Sequence, residues 1–539
     1  MDAYLLSFNP EANVADQWDF GLLRDVLEDS GFTIYGGNTV KSGTERAVVI
    51  IPARHNAEHI DAINKWLSHI KHVVLFLLGD EEAEFPVEKI EHSSIHIWVQ
   101  NPHMGKHDAY NKLGTGYPAH MRSVIPKTLE KKKDIMFAGQ VTHPRRRELI
   151  DVLVDMSMGN SGIRIVKTGG FTQGETPAEY FKHLSEAKIA PAPSGAIIPD
   201  SFRLFEALEC MAIPVADQKT PDGTVLHNYW DWLFGEDTPF PKVTEWDRLF
   251  GLRDELLADW PRNMHQQTAW WLMYKRNMKN KILEQLGIKL GCNCGEITVI
   301  IPTSVLPSHP STEIIEQTIR DVRVHLPDAE IILQIDGLRE EQADRKEAYD
   351  EYKTRVLWKC LHEWKNVLPV VFDELEHQSG MLKKTIELIR TPLLLYVEGD
   401  APLTPDRPID WQKCIDLIMS GEATTIRFHH ENVIPKEHEG LMIGGPKDGF
   451  IKTYQWSQRP HLSTVQYYAD VVLPSLPERS FIEDTMHGVV ANDWYDKGML
   501  GWFKHRLWIY HPNKNIQRSY TTDGRQGEKK FTSDDEVGL

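Results

Sequence analysis

Leu393-Leu394-Leu395-Tyr396-Val397-Glu398-Gly399-Asp400-Ala401-Pro402 reads as a buried strand that ends on two carboxylates one residue apart. Five apolar residues without alternation fit a strand covered on both faces, as in a parallel sheet flanked by helices. Two hard oxygen donors at such a strand end can face a divalent cation, and a cation there can clamp a diphosphate.

Runs of the same kind recur through the chain. In the first half they are Ala47–Ile51, Val73–Leu78, Ile95–Val99, Asp134–Ala138, Ile163–Val166 and Ile213–Val215. In the second half they are Ile297–Ile301, Glu330–Ile335, Val367–Val371, Leu393–Val397 and Thr424–Phe428. Helical-looking stretches separate them, and this βα alternation predicts doubly wound α/β domains. Trp260–Leu286 reads as a long helix. Gly287–Glu296 then carries three glycines and a Cys292/Cys294 pair before a fresh strand, which places a boundary near residue 290.

At 539 residues the chain is too long for one ordinary core and predicts two to four domains. Hydrophobic residues at 41% and charged residues at 26% suit a globular protein. A formal charge of −18 disfavours non-specific nucleic-acid binding. Five cysteines are too sparse and too odd a set for a disulfide framework. Met1-Asp2-Ala3-Tyr4-Leu5-Leu6 lacks a basic leader and a long apolar core, and no apolar run is long enough to span a bilayer. A cytoplasmic protein without a membrane anchor is the expectation.

Four features of the second half occur in a telling order. Glu296–Ser304 is a strand ending in Pro302-Thr303. Ala329–Gly337 is a second strand ending in Asp336. The Glu398/Asp400 pair follows, and then Ser480-Phe481-Ile482-Glu483-Asp484. This order resembles GT-A glycosyltransferases of the family-2 type, with Glu at the first metal-motif position where Asp is more usual. The resemblance implies that Pro302, Thr303 and Asp336 cradle the nucleotide. It implies that Asp400 and Glu398 hold Mn²⁺ or Mg²⁺, with His511 as a third ligand. It implies a catalytic base at Asp484, with Glu483 second. Trp456, Gln458 and Arg459 fall where acceptor-binding segments lie in that family; a structural loop around a buried Trp is the alternative. Such chemistry uses a cation to neutralise the departing diphosphate and a carboxylate to take the acceptor proton.

In the first half, Asp200-Ser201-Phe202-Arg203-Leu204-Phe205-Glu206-Ala207-Leu208 runs into Cys210-Met211-Ala212-Ile213-Pro214-Val215. This helix-then-strand segment resembles the C-terminal-lobe signature of exostosin-type GT-B glycosyltransferases, with Met211 where glycine is more usual. The resemblance implies that the helix start, with Ser201, Arg203 and Glu206, faces the donor. A helix N-terminus favours phosphate on general grounds. His143-Pro144-Arg145-Arg146-Arg147 opens another helix; its three arginines suit a diphosphate at a donor cleft, with Arg145 the expected contact, and a solvated helix start is the alternative. His55, His103, His107 and Asp108 are base candidates in the N-terminal lobe that nothing in the sequence separates.

The expected architecture is a GT-B-like pair of Rossmann-like lobes followed by a GT-A-like nucleotide-sugar domain. Residues 1–130 are the acceptor lobe, 131–290 the donor lobe, 291–520 the GT-A-like domain and 521–539 a polar tail. The expected function is transfer of sugars from nucleotide-sugar donors, UDP-sugars by family default, with two activities in one chain. Alternatives are one active GT-A module beside an acceptor-binding platform, or a non-catalytic carbohydrate-binding protein. A carbohydrate, a protein or a modified DNA base can be the acceptor. Phage-encoded transferases, acting in the host cytoplasm, fit the absent anchor by analogy.

Overall fold

The computed structural model describes residues 1–9, 18–127, 129–170, 173–288, 296–512 and 515–522. The Cys292/Cys294 pair and the tail beyond Thr522 lie outside the described residues. The chain divides into two compact units, Met1–Lys289 with Leu361–Glu363, and Leu290–Cys360 with Trp364–Leu539.

The first unit holds two parallel sheets. One contains β1 (Asp2–Leu5), β2 (Thr33–Gly36), β3 (Arg46–Pro52), β4 (His72–Leu78), β5 (Ile95–Gln100) and β6 (Asn111–Leu113), in the order β2-β1-β3-β4-β5-β6. The other contains β7 (Lys133–Gln140), β8 (Ile163–Thr168), β9 (Ala187–Ala192), β10 (Ile213–Asp217) and β11 (Lys242–Val243), in the order β11-β10-β9-β7-β8. Every pairing in both is parallel. β3 and β4 are buried from Ala47 to Pro52 and from Val73 to Leu78, which explains their unbroken apolar runs. The strands without such runs are short or polar. β2 is half exposed and β9 carries Pro191, so neither shows a strong pattern.

Helix Trp260–Gln285 ties these two sheets together. Trp98 of β5 donates its indole N–H to Gln285 Oε1 (2.9 Å). Toward its other end, Gln267 donates to Ala212 O (3.2 Å), and Trp271 donates to Glu209 Oε1 (2.7 Å).

The second unit is built on one nine-stranded sheet. Its strands are β12 (Ile297–Thr303), β13 (Ile331–Ile335), β14 (Val367–Val371), β15 (Leu393–Tyr396), β16 (Thr425–Arg427), β17 (Met442–Lys447), β18 (Phe450–Thr453), β19 (His461–Thr464) and β20 (Leu507–Tyr510). They lie in the order β14-β13-β12-β15-β19-β16-β20-β18-β17. β14, β13, β12 and β15 are parallel, and β19 then inserts antiparallel between β15 and β16. The sheet is therefore mixed, where the run at Thr424–Phe428 suggested one more strand of a parallel set. The four-residue β19 and the exposed, Gly- and Pro-bearing β17 give no pattern that would have announced the antiparallel half.

Candidate functional site

In the second unit, chain order places β13 and β14 on one side of β12 and β15 on the other. A crevice opens at such a switch point, outside the carboxyl ends of the strands. Pro302 and Thr303 close β12 there, and Glu398-Gly399-Asp400 follows β15. The acidic turn is pinned to β12 by Gly399 N–H donating to Pro302 O (3.1 Å), and by Thr318 Oγ1 donating to Gly399 O (2.7 Å). A Cβ at residue 399 would lie 2.9 Å from Pro302 O, so glycine is what lets the turn sit this close. On the other side, Thr522 donates its N–H (2.9 Å) and its hydroxyl (3.1 Å) to the Asp400 carbonyl. The segment 515–522 thus returns across the mouth of the sheet.

Glu398 Oε1 accepts from Gln378 Nε2 (2.8 Å), and Gln378 Oε1 accepts from Ile482 N–H (3.2 Å). One amide therefore couples the acidic pair to the start of helix Ile482–Lys497. Burial, with Asp400 and Glu483 adding to it, pushes the Glu398 carboxyl up to about 7.

Two chambers share Glu398 and Asp400 as a common wall. The smaller, about 320 Å³, is also lined by Pro302, Thr303, Asp336 and Gln378. His309 stacks there on Tyr352, with ring centroids 3.8 Å apart. Asp336 accepts backbone N–H groups from Gly337 (2.8 Å), Glu376 (2.8 Å) and His377 (3.2 Å), while burial raises its pKa. The larger chamber, about 500 Å³, is also lined by Arg427, His429, His430, Gln458, Arg459 and Glu483. Burial lowers Arg427 to about 10, with Glu483 opposing the shift. Burial likewise takes His429 to about 3 and His430 to about 4, so both rings are neutral at pH 7.

Three sequence-predicted residues of this unit stand off these walls. Asp484 lines neither chamber. Successive helical residues point about 100° apart, so Glu483 and Asp484 cannot share one direction. Trp456 is 2% exposed, with its ring packed against His461 at 5.4 Å. His511 follows β20, which β19 and β16 separate from β15. Three interstrand spacings amount to about 14 Å. The His511 backbone N–H donates to Gly449 O (2.7 Å). Among the described residues no group of three or more His, Cys, Asp or Glu side chains could hold a metal. Two carboxylates remain, Glu398 and Asp400. They fit Mg²⁺ or Mn²⁺, which commonly takes one or two protein carboxylates and fills its other positions with water and substrate phosphate.

In the first unit, a cavity of about 670 Å³ opens at the switch point between β7 and β9. Gly139, Arg146, Ser201, Arg203 and Glu206 line it from the second lobe, and Glu81, Thr115 and His120 from the first. Arg203 donates to Ala138 O (2.8 Å) and pairs with Glu206 Oε2 (2.7 Å), which also accepts from the Tyr180 hydroxyl (2.6 Å). Ser201 donates its hydroxyl to Pro193 O (2.9 Å).

Arg145 is not on this wall. It is 1% exposed and forks onto Asp217, Nε to Oδ2 at 3.1 Å and the second contact at 2.8 Å. Its neighbour Arg146 faces the cavity instead, one helical step round, and among the described residues its Nε has no hydrogen-bond partner. Burial lowers Arg146 to about 10. None of His55, His103, His107 and Asp108 lines the cavity. His107 Nδ1 pairs with His103 N–H (3.0 Å), and Asp108 accepts the Trp232 indole N–H (3.0 Å). The residues that sequence reasoning missed are Gln378, Arg427, His429, Asp200 and Glu81. Of these, Arg427 lay inside a quoted strand run and Asp200 inside a quoted motif.

No family model matches the chain, and no curated protein matches it. Among solved structures, S. aureus TarS residues 1–349 with UDP-GlcNAc is 11% identical over 42% of this chain and 58% of its own, at a TM-score of 0.25. A UDP-glucose pyrophosphorylase with UDP-glucose is 10% identical over 41% of this chain and 91% of its own, at 0.26. The mannosyltransferase PcManGT from Pyrobaculum calidifontis with GDP-Man and Mn²⁺ is 11% identical over 50% of this chain and 66% of its own, at 0.26. Likenesses of this size assign no function. No helix is long and apolar enough to cross a membrane among the described residues.

Proposed function

We propose that the second unit transfers a sugar from a nucleotide-sugar donor to an acceptor hydroxyl, with inversion at the anomeric carbon. The observation that carries this reading is the acidic pair standing as the shared wall of two chambers. A donor and an acceptor can then meet across Glu398 and Asp400. In this reading the smaller chamber takes the nucleotide, with Pro302 and Thr303 along it and Asp336 at the base or ribose. Asp400 and Glu398 hold the divalent cation, which when bound offsets the charge of the departing diphosphate. Gln458 and Arg459 orient the acceptor. Glu483, on the acceptor wall and ahead of Asp484, takes the hydroxyl proton. Trp456 supports the wall from behind, and His511 has no part in the metal site.

The first unit, in the same reading, is a second nucleotide-sugar site of the exostosin kind. Ser201, Arg203 and Glu206 lie at its helix start, and Arg146 takes the diphosphate role expected of Arg145. The domains are then an acceptor lobe, a donor lobe and a metal-dependent transferase domain. A UDP-sugar is the donor to try first, and carbohydrate, protein and modified DNA are the acceptor classes.

The test uses the full-length chain with Mn²⁺ and a panel of nucleotide sugars. Asp400→Asn should abolish metal-dependent sugar incorporation, and Glu206→Ala should remove a different sugar from the product. Identical products from both variants would refute two activities. Donor binding by the second unit that is indifferent to Mn²⁺ would refute the metal-dependent one.

A further inference from the structure

The cavity of the first unit contains a carboxylate that its resemblance to known transferases does not account for. Asp200 lies just before helix Phe202–Glu209, is 3% exposed and lines the cavity. Its Oδ2 accepts Thr115 N–H (2.8 Å), which comes from the other lobe of the unit. Among the described residues its Oδ1 has no hydrogen-bond partner. Burying an oxygen without a donor is costly, so such an atom marks a place where a ligand supplies the missing hydrogen.

The loop that carries Asp200 is closed on itself. Gly195 N–H donates to Ile198 O (3.0 Å), and a Cβ on Gly195 would meet the Asp200 carbonyl oxygen at 2.2 Å. Asp200 is therefore held by backbone packing on one side and by Thr115 on the other. Arg146 and Arg203 supply positive charge in the same cavity.

We propose that Asp200 is the general base of a second sugar-transfer site in the first unit, taking the proton of the acceptor hydroxyl at Oδ1. The proposal rests on reading this cavity as a nucleotide-sugar site. The acceptor oxygen forms a bond to the anomeric carbon as the bond from that carbon to the diphosphate oxygen breaks. The electron pair leaves with the nucleoside diphosphate, whose charge faces Arg146 and Arg203. The hydroxyl proton goes to Asp200 and then to solvent. Water can take the acceptor's place, so donor hydrolysis reports the same step.

Burial, with a smaller contribution from Glu81, raises the Asp200 carboxyl to about 7 despite the donors at Thr115 and Ser201. Asp200 in turn adds to the raised pKa of the Tyr229 and Tyr274 phenols, which burial keeps protonated at neutral pH, and Arg146, Arg203, Glu206, His120 and Tyr180 line the same cavity. Below pH 7 Asp200 holds a proton and cannot act, so the rate should rise through that pH.

The experiment uses full-length Asp400→Asn protein in EDTA, which silences the second unit. Nucleoside diphosphate released from UDP-glucose, UDP-GlcNAc and GDP-mannose is measured from pH 5.5 to 8.5 (about that span covers both limbs). Release should show an acid limb near pH 7. Adding Asp200→Asn should cut it about a hundredfold or more, with UDP affinity by calorimetry within about threefold. Glu81→Gln, which removes a like charge, should shift the acid limb to lower pH while release continues. Release that survives Asp200→Asn overturns the proposal, as does a matching loss of UDP affinity. An unmoved limb in Glu81→Gln, or no release of any probe from the Asp400→Asn chain, overturns it as well. Mn²⁺-dependent transfer by the wild-type chain tests the second unit separately.

Discussion

Arg145 and Arg146 are adjacent, and the structure gives them opposite work, so replacing each with Gln should give opposite results. Arg145→Gln removes the cation that forks onto Asp217, a carboxylate that is 0% exposed. Asp217 keeps Lys219 N–H (3.0 Å) and Ser194 N–H (3.4 Å) but loses its ion-pair partner. Breaking one side of a buried pair costs about 3–5 kcal/mol, because the remaining charge stays out of water. At about 2–4 °C per kcal/mol for a unit of this size, the unfolding midpoint of the first unit should fall by roughly 10 °C. The deficit should shrink as pH falls. Burial already raises the Asp217 pKa, and without Arg145 the group takes up a proton more readily. A double replacement, Arg145→Met with Asp217→Leu, should recover most of the loss. Arg146→Gln should leave the midpoint nearly unchanged, since its hydrogen bonds to Gln140 O (3.3 Å) and Ser194 O (3.2 Å) are long. It should weaken UDP by roughly ten- to a hundredfold, the 1.5–3 kcal/mol (about) of a charge-assisted hydrogen bond. Thermal unfolding and calorimetric UDP titration in EDTA read both effects. A stable Arg145→Gln protein that binds UDP poorly would refute the reasoning, and so would an Arg146→Gln protein that binds UDP normally.

Other outcomes follow from the second unit. Glu483→Gln should lower kcat for Mn²⁺-dependent transfer by about 10²–10⁴, while Asp484→Asn changes it by less than about threefold; equal effects would remove the distinction drawn from the chamber wall. Gly399→Ala places a Cβ 2.9 Å from a backbone oxygen that cannot swing away. It should cost about 1–3 kcal/mol in denaturant unfolding and displace the acidic pair, seen as weaker Mn²⁺ binding. Acid should also destabilise this unit. His461 is 1% exposed, pairs with Tyr468 OH (2.5 Å), and is pushed down to about 4 by burial. A histidine with a depressed folded pKa contributes no penalty above about 6.5, and its penalty grows as pH falls toward 4, because the unfolded chain takes the proton first. The shift corresponds to about 3 kcal/mol at most. Urea unfolding at pH 7 and pH 4.5 (about 2.5 units apart) checks it, and constant stability would contradict it.

Much of the architecture was legible along the chain, for a physical reason. Val73–Leu78, Ile297–Ile301 and Leu393–Val397 are covered on both faces, so local composition alone marks them as parallel strands. The antiparallel half of the second sheet was not legible. β18 to β20 have four residues each, β17 is exposed and bears Gly and Pro, and their partners are set by long-range pairing that leaves no periodic trace.

The candidate sites divide in the same way. Glu398-Gly399-Asp400 could be read by itself because one strand end and one glycine supply the geometry, and Gly399 is close enough to β12 to show why. The choice between Glu483 and Asp484, or between Arg145 and Arg146, is a choice of direction around a helix. Only packing fixes that rotation. Gln378 reaches Glu398 from another helix, and Asp200 is held by Thr115 from another lobe. The sequence by itself determined which residue types stand at the strand ends, since composition sets each strand. The tertiary structure alone decided which of them share a cavity, because burial and the unpaired atoms it creates depend on residues far apart in the chain.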